Sequence, residues 1–374
     1  MTDTFSPQAI KSHDYPTPFL MLDLDRVEKA YRVFADLLPD VDIHYAVKCN
    51  PDARILRRLH TLGCKFEIAS YNELERLIAE GVVPADVLFS NPVKVPSHID
   101  RAHDRGLHRF SFDSQAELDK ITQQAPGAAV FVRIQTVAAD SLVPCEGKFG
   151  IGNSEALRLM KYAKRVGLKP YGIAFHVGSL MHKANAWDAA IANASDLMRQ
   201  LQKIGITIEM LDLGGGFPAN YGVKVPSMKT FARNIKAALA QHVPYDVQIV
   251  IEPGRGMVGD AGVMVATVIG VATRCDKRWI HLDVGAFNGM MEALETQNTL
   301  IFPLSDSRNS PNKSLCHLTG PTCDSQDTIL LDIELSDNLR IGDRVFIHTA
   351  GAYTTSYAST FNDFSLPDVY CINE

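Results

Sequence analysis

The chain has 374 residues, 46% hydrophobic and 21% charged, with a formal net charge of -6; this is the balance of a folded globular protein long enough for one large and one smaller domain, and it excludes disordered and fibrous classes. No Lys/Arg block supplies the footprint of a nucleic-acid binder, no run of about 18 apolar residues supplies a membrane span, and residues 1–15 carry no basic-then-apolar leader, so the expectation is a cytoplasmic protein. Seven scattered cysteines (Cys49, Cys64, Cys145, Cys275, Cys316, Cys323 and Cys371) form no C-x-x-C pair, which argues against a zinc site or a disulfide framework.

In chain order, short β-rich runs recur at Ile43–Lys48, Lys65–Ser70, Val87–Ser90, Arg109–Asp113, Ala129–Gln135, Tyr171–Val177, Met210–Phe217 and Val247–Arg255. The segments between them read as helices. Leu74, Leu77 and Ile78 follow a Ser70/Glu73 capping box, and Leu118 and Ile121 follow a Ser114/Glu117 box. Ala190, Ala194, Leu197, Leu201 and Ile204 recur at helical spacing up to Gly205. Eight strands alternating with helices predict a parallel α/β sheet, and eight is the number at which such a sheet closes into a (β/α)8 barrel; an open doubly wound sheet is the competitor. Beyond about residue 261 the rhythm changes to strand-like runs without long helices, among them Met264–Ala272, Arg278–Val284 and Asp343–Thr349. The predicted organisation is a barrel over 24–261 and a β-domain from 1–23 and 262–374.

Catalytic groups of a (β/α)8 barrel gather at the C-terminal ends of its strands. Strand one ends in Lys48, strand two passes through Glu67, strand five carries Arg133, strand six ends in His176, strand seven in Gly214-Gly215-Gly216 and strand eight in Glu252-Pro253-Gly254-Arg255. Each alone has a plain structural explanation, such as a solvated lysine, a tight turn or an interior histidine. Together, on one face of one barrel, they suit pyridoxal phosphate (PLP). A lysine at the mouth can hold the aldehyde as a Schiff base, and a carboxylate such as Glu252 facing the ring nitrogen keeps it protonated. Glycine turns expose N–H groups to a phosphate, Arg255 adds a charged contact, and the His176 imidazole can lie flat on the ring.

The motifs Tyr45-Ala46-Val47-Lys48-Cys49-Asn50, Phe175-His176-Val177-Gly178-Ser179, Leu213-Gly214-Gly215-Gly216-Phe217, Glu252-Pro253-Gly254-Arg255, Gly320-Pro321-Thr322-Cys323-Asp324 and Gly351-Ala352-Tyr353-Thr354 span nearly the whole chain. In these the sequence resembles the ornithine/lysine decarboxylase family, eukaryotic-type PLP enzymes of the alanine-racemase-like fold type III. The resemblance implies that Lys48 carries the Schiff base, His176 stacks on the ring and Glu252 pairs with the ring nitrogen. It further implies that Ser179, Gly214, Gly215, Gly216, Gly254, Arg255 and Tyr353 hold the phosphate and Arg133 the phenolic oxygen side. Glu67 supports Lys48 and His176, at a position where an aspartate is common in the eukaryotic enzymes. The resemblance also implies that Cys323 reprotonates the substrate carbon and that Asp324 contacts the distal amine, both from the partner subunit of a homodimer with shared sites. Lys148 matches a family lysine near that interface.

A second acid on the distal amine is expected in the stretch Glu292-Ala293-Leu294-Glu295-Thr296-Gln297, with Thr296 in the register where mammalian enzymes place an aspartate and Glu295 able to substitute. The implied reaction is decarboxylation of a basic L-amino acid, first ornithine to putrescine, then lysine to cadaverine or a related diamino acid. An amino-acid racemase and a diaminopimelate decarboxylase are rivals on the same fold, disfavoured by the Cys323-Asp324 pair. A catalytically silent regulatory homologue, the reading of another class, is disfavoured by the presence of both Lys48 and Cys323.

Overall fold

Apolar residues two apart need an enclosed face on a sheet, and apolar residues three and four apart need a helix packed over it. A computed structural model, which describes residues 15–136, 141–143 and 147–374 together with Phe5 and Ile10, satisfies both demands. Cys145 lies outside the described residues. The chain divides into two compact units, one of residues 28–218 and 225–256, the other of residues 1–27, 219–224 and 257–374.

The first unit is a closed barrel of parallel strands: β1 (Val41–Ala46), β2 (Lys65–Ile68), β3 (Leu88–Phe89), β4 (Arg109–Phe112), β5 (Ala129–Arg133), β6 (Lys169–Ala174), β7 (Met210–Asp212) and β8 (Gln248–Ile251), with β8 returning to pair with β1. That closure rules out the open doubly wound sheet. Several strands are shorter than the runs read from sequence because their last residues leave the ladder at the mouth. Lys48 falls in the short turn Val47–Cys49, and 213–217 and 252–254 run outside the strands.

Leu88, Phe131, Ala174, Met210 and Val250, from β3, β5, β6, β7 and β8, form one buried interior layer. Side chains alternate along a strand, so the residue two places on from each faces the same interior, one layer nearer the C-terminal mouth. Those residues are Ser90, Arg133, His176, Asp212 and Glu252. Leucine, phenylalanine and methionine below thus aim polar groups above.

Outside the ring, helices Tyr71–Ala79 and Gln115–Gln124 begin at Ser70 and Ser114, whose side chains accept from the Glu73 and Glu117 backbone N–H groups. Glu73 turns its carboxylate back onto Ala69 N at 2.6 Å. Glu117 does not complete its box: its buried carboxylate pairs with Lys94 at 3.0 Å and Lys120 at 2.6 Å. Helix Ala186–Lys203 buries Ala190, Ala194, Leu197 and Leu201, whereas Ile204 just past its end is exposed and Gly205 stops the chain with φ 73°. None of the described helices is long and apolar enough to cross a membrane.

The second unit is built on a mixed sheet in the order Leu304–Asp306, Arg344–His348, Gly262–Arg274, Lys277–Leu282, Lys313–Thr319, Thr328–Ser336. Phe19–Asp23 pairs antiparallel with Gly262–Arg274 and parallel with Asp368–Ile372. Phe5, Ile10, Phe19, Met21, Val263, Val265 and Phe346 form its core. Residues 219–224, within the range expected for the barrel, cluster with this sheet. Asn220 ties them there, donating through its N–H to Asp260 Oδ1 at 3.0 Å and accepting from Thr349 Oγ1 at 2.8 Å.

Candidate active site

Lys48 Nζ donates to Oε1 of Glu67 on β2 in a close ion pair. Glu67 is sealed at 1% exposure while the Lys48 side chain is 46% exposed, so the amine is held from below and reachable from solvent. Burial pushes the Glu67 carboxyl up, Lys48 pulls it back and the neighbouring Glu252 pushes it up again, to about 7.

His176 receives a hydrogen bond on Nδ1 from Gly178 N at 2.9 Å, and its carbonyl oxygen accepts from Thr136 Oγ1 at 2.6 Å. A ring that accepts on Nδ1 carries its proton on Nε2. Burial, with the charges of Arg133 and Lys48, holds the imidazole well below its ordinary pKa, so it is neutral at pH 7. A cleft of about 480 Å³ opens beside His176 and Arg133, lined also by Gln135, Thr136, Phe149, Ala190 and Asn193. The Arg133 guanidinium lies 5.4 Å from the centre of the Phe149 ring.

The glycine triplet is required sterically. Gly214 and Gly216 have φ of 65° and 105°, and a Cβ on Gly214, Gly215 or Gly216 would strike the backbone oxygen of Phe175, Glu252 or Gly178 respectively. The chain ends of β6, β7 and β8 are thereby drawn together. Trp187 Nε1, donating to the Leu213 carbonyl at 3.1 Å, fixes the start of the turn. A Cβ on Gly254 would lie 2.8 Å from the Cys49 Cβ, so the end of β8 meets the end of β1 in the same way. Arg255, 5% exposed, opens the short helix Arg255–Val258. Ser179 opens the short strand Ser179–Met181, whose last N–H donates to the Gly216 carbonyl at 2.9 Å. Bare backbone beside a buried arginine is a cradle that suits a phosphate.

Two interior polar residues were not singled out from the sequence. Ser90 Oγ donates to Glu252 Oε1, and Asp212, fully buried, accepts from Gly214 N on Oδ1 at 2.9 Å. Each stands two places beyond an interior apolar residue, Leu88 or Met210, which is the signal that could have found them.

The barrel thus gathers Lys48, Glu67, Arg133, His176, Ser179, the glycines, Glu252 and Arg255, whereas Cys323, Asp324, Glu295 and Tyr353 belong to the second unit. Cys323 and Asp324 are exposed, with Cys323 Sγ 3.7 Å from Asn362 Oδ1. Their loop is shaped by buried Asp327, which accepts from Thr322 N at 2.9 Å and Ala286 N at 2.7 Å. Tyr353 has φ 53° and its ring centre is 5.5 Å from that of Tyr357. In the turn Glu292–Glu295 the exposed acid is Glu295. Glu292 and Thr296 are buried, and Thr296 Oγ1 donates to the Glu292 carbonyl at 2.7 Å, since residues four apart share a helix face.

Residues 24–259 match the family described as pyridoxal-dependent decarboxylase, pyridoxal binding domain. The chain belongs to this family. The decarboxylase is 36% identical to the lysine/ornithine decarboxylase of Selenomonas ruminantium, across 94% of this chain and 88% of that one. It superimposes on lysine/ornithine decarboxylase complexed with cadaverine from Vibrio vulnificus with a TM-score of 0.90 and 32% identity, covering 98% of this chain and 97% of that one. The Paramecium bursaria Chlorella virus arginine decarboxylase gives 0.91 and 30%, covering 98% of both chains. This is therefore a PLP-dependent amino-acid decarboxylase with the fold of those enzymes. Its residues fit the cofactor: a reachable amine against a buried acid, a second carboxylate backed by a serine, and a side-chain-free cradle next to an arginine.

Proposed function

We propose that this decarboxylase acts on a basic L-amino acid, with L-ornithine first and L-lysine second, releasing CO2 and a diamine, putrescine or cadaverine. The observation that carries the reading is the Lys48 amine, exposed at the barrel mouth over sealed Glu67, whose carboxyl in turn feels the charge of Glu252. Bound PLP supplies an electron sink for the pair left when the Cα–carboxyl bond breaks.

The chain's own residues divide the remaining work. Lys48 holds the aldehyde carbon, kept in place by Glu67. Glu252, oriented by the Ser90 hydroxyl, would pair with the ring nitrogen of bound PLP. His176, neutral and hydrogen-bonded through Nδ1, presents its flat face without adding a charge. Arg133 would serve the phenolic-oxygen side of the cofactor. Ser179, Gly215, Gly216, Gly254, Arg255 and Tyr353 would hold the phosphate, and Gly214, whose N–H is committed to Asp212, shapes the turn. The Cys323 thiol delivers the proton that replaces CO2 on the carbon, and Asp324, with Glu295, receives the distal ammonium. An acidic pair suits a bare ammonium rather than a distal carboxylate.

Cys323 and Asp324 come from the second subunit of a homodimer in this reading. The test is CO2 release from a panel of L-ornithine, L-lysine, L-arginine and diaminopimelate, with the amine product identified. Release from ornithine above lysine supports the first assignment. Release from diaminopimelate alone, or from none of the panel, overturns it.

A further inference from the structure

Among the described residues, Glu67, Glu252 and Asp212 bring carboxyl groups to the interior of the barrel mouth, and the first two have roles in the proposed function. The third, Asp212, ends β7 two places beyond interior Met210 and has no exposure to solvent. Its Oδ1 accepts from Gly214 N at 2.9 Å, while Oδ2 is buried and meets no donor. Across the ladder Asp212 pairs with Val250, and Glu252 lies two places further on the same face, within hydrogen-bonding range of Asp212. Ser90 approaches Glu252 on Oε1.

Two ionised carboxylates facing one another would offer acceptors to acceptors in a sealed space, a pairing that forces one to keep a proton. We propose that Asp212 is a positioning residue of the cofactor site, carrying a proton on Oδ2 and donating it in a hydrogen bond to Glu252. Glu252 is then held from two sides, by the Ser90 hydroxyl and the Asp212 acid, at the angle from which it faces the ring nitrogen. Burial and the charges of Glu252 and Glu67 favour the neutral form of Asp212 and outweigh the Gly214 N–H, which favours the ionised one. Gly214 N fixes the other oxygen, so the group has one free choice of direction.

The inference rests on the assignment of Glu252 to the ring nitrogen, and the experiment separates the two. The purified holoenzyme and the variants Asp212→Asn, Asp212→Ala and Glu252→Gln are compared for the rate of PLP loss on dilution and for the pH dependence of the cofactor's visible absorbance. An asparagine keeps a donor toward Glu252 and an acceptor for Gly214 N, so Asp212→Asn is expected to lose PLP within about threefold of the parent rate; Asp212→Ala leaves buried groups unpaired and is expected to lose it at least about tenfold faster. Infrared spectra of the folded parent at pH 8 supply an independent readout if Asp212→Ala does not fold: a protonated-carboxyl band must be present and must vanish in Asp212→Asn. Absence of that band, Asp212→Asn as impaired as Asp212→Ala, or Asp212→Ala indistinguishable from the parent overturns the inference. If Glu252→Gln leaves absorbance and retention unchanged, it is the placement of Glu252 that fails.

Discussion

Lys48 and Glu67 form an ion pair in which the acid is sealed and the amine is open to solvent. The register of β1 and β2 sets this up: Ala46 pairs with Glu67, and Lys48 follows two residues later in the turn Val47–Cys49. The first prediction concerns the amine. Lys48→Ala should abolish the visible absorbance of lysine-bound cofactor and lower kcat/KM by at least about 10³-fold, as loss of a covalent catalytic group does; an active Lys48→Ala would remove the site assignment.

Glu67 has a carboxyl raised from 4.5 to about 7, chiefly by burial. A raised acid stabilises the fold while protonated, and that contribution is lost as pH climbs from its unfolded value through 7, at up to about 1.4 kcal/mol per pH unit. Urea titration of the cofactor-free protein from pH 5 to 8 should therefore show a decline that Glu67→Gln flattens. An identical slope in both proteins would refute the assignment.

Lys94 is fully buried, pairs with Glu117 at 3.0 Å and also donates to the carbonyls of Asn91 at 2.9 Å and Ser111 at 2.5 Å, tying the chain just past β3 to β4. Lys94→Met strands the Glu117 charge and should cost about 3–5 kcal/mol, part of which Lys120 recovers; the double change Lys94→Met with Glu117→Leu should cost less than the single one. Burial lowers the lysine to about 8. A lowered base favours the fold above its unfolded value near 10.5 and loses that contribution as pH falls through 8, so parent stability should rise between pH 8 and 10 in a way that Lys94→Met lacks.

Glycines with the same sign of φ should differ sharply. Gly63→Ala, with φ 86° and nothing within 4 Å of the new Cβ, should cost about 1 kcal/mol in chemical denaturation. Gly216→Ala, with φ 105° and its Cβ driven into the Gly178 carbonyl, should cost about 3 kcal/mol or more and loosen PLP. Equal losses would show that the close approach of the chains is not what requires the glycine.

Mixing tests the proposal that two subunits share each site. Lys48→Ala and Cys323→Ala chains, each poorly active alone, should on random reassortment regain up to about a quarter of parent activity, because half the dimers are mixed and each of those holds one intact site. No recovery, with exchange of subunits demonstrated, would place Cys323 outside a partner's site.

Much of this site was legible as residue type and order. Short β-rich runs between positions 43 and 255 indicated eight strands, and the rule that barrel chemistry sits at strand ends selected Lys48, His176 and Glu252. Chain order fixes such things because the period of a strand is local. Ring closure, with Ile251 beside Ile43, was decided by tertiary structure, since it joins residues more than two hundred positions apart. So were the fate of Glu117, which leaves its capping box for Lys94, and the direction of the Glu292–Glu295 turn, which buries Glu292 and exposes Glu295. Ser90 and Asp212 carried the right spacing, yet a serine and an aspartate at strand ends are common turn residues. Only the packing that sets their side chains against Glu252 gives them a chemical setting, because burial and neighbouring charge are properties of the folded space and not of the chain.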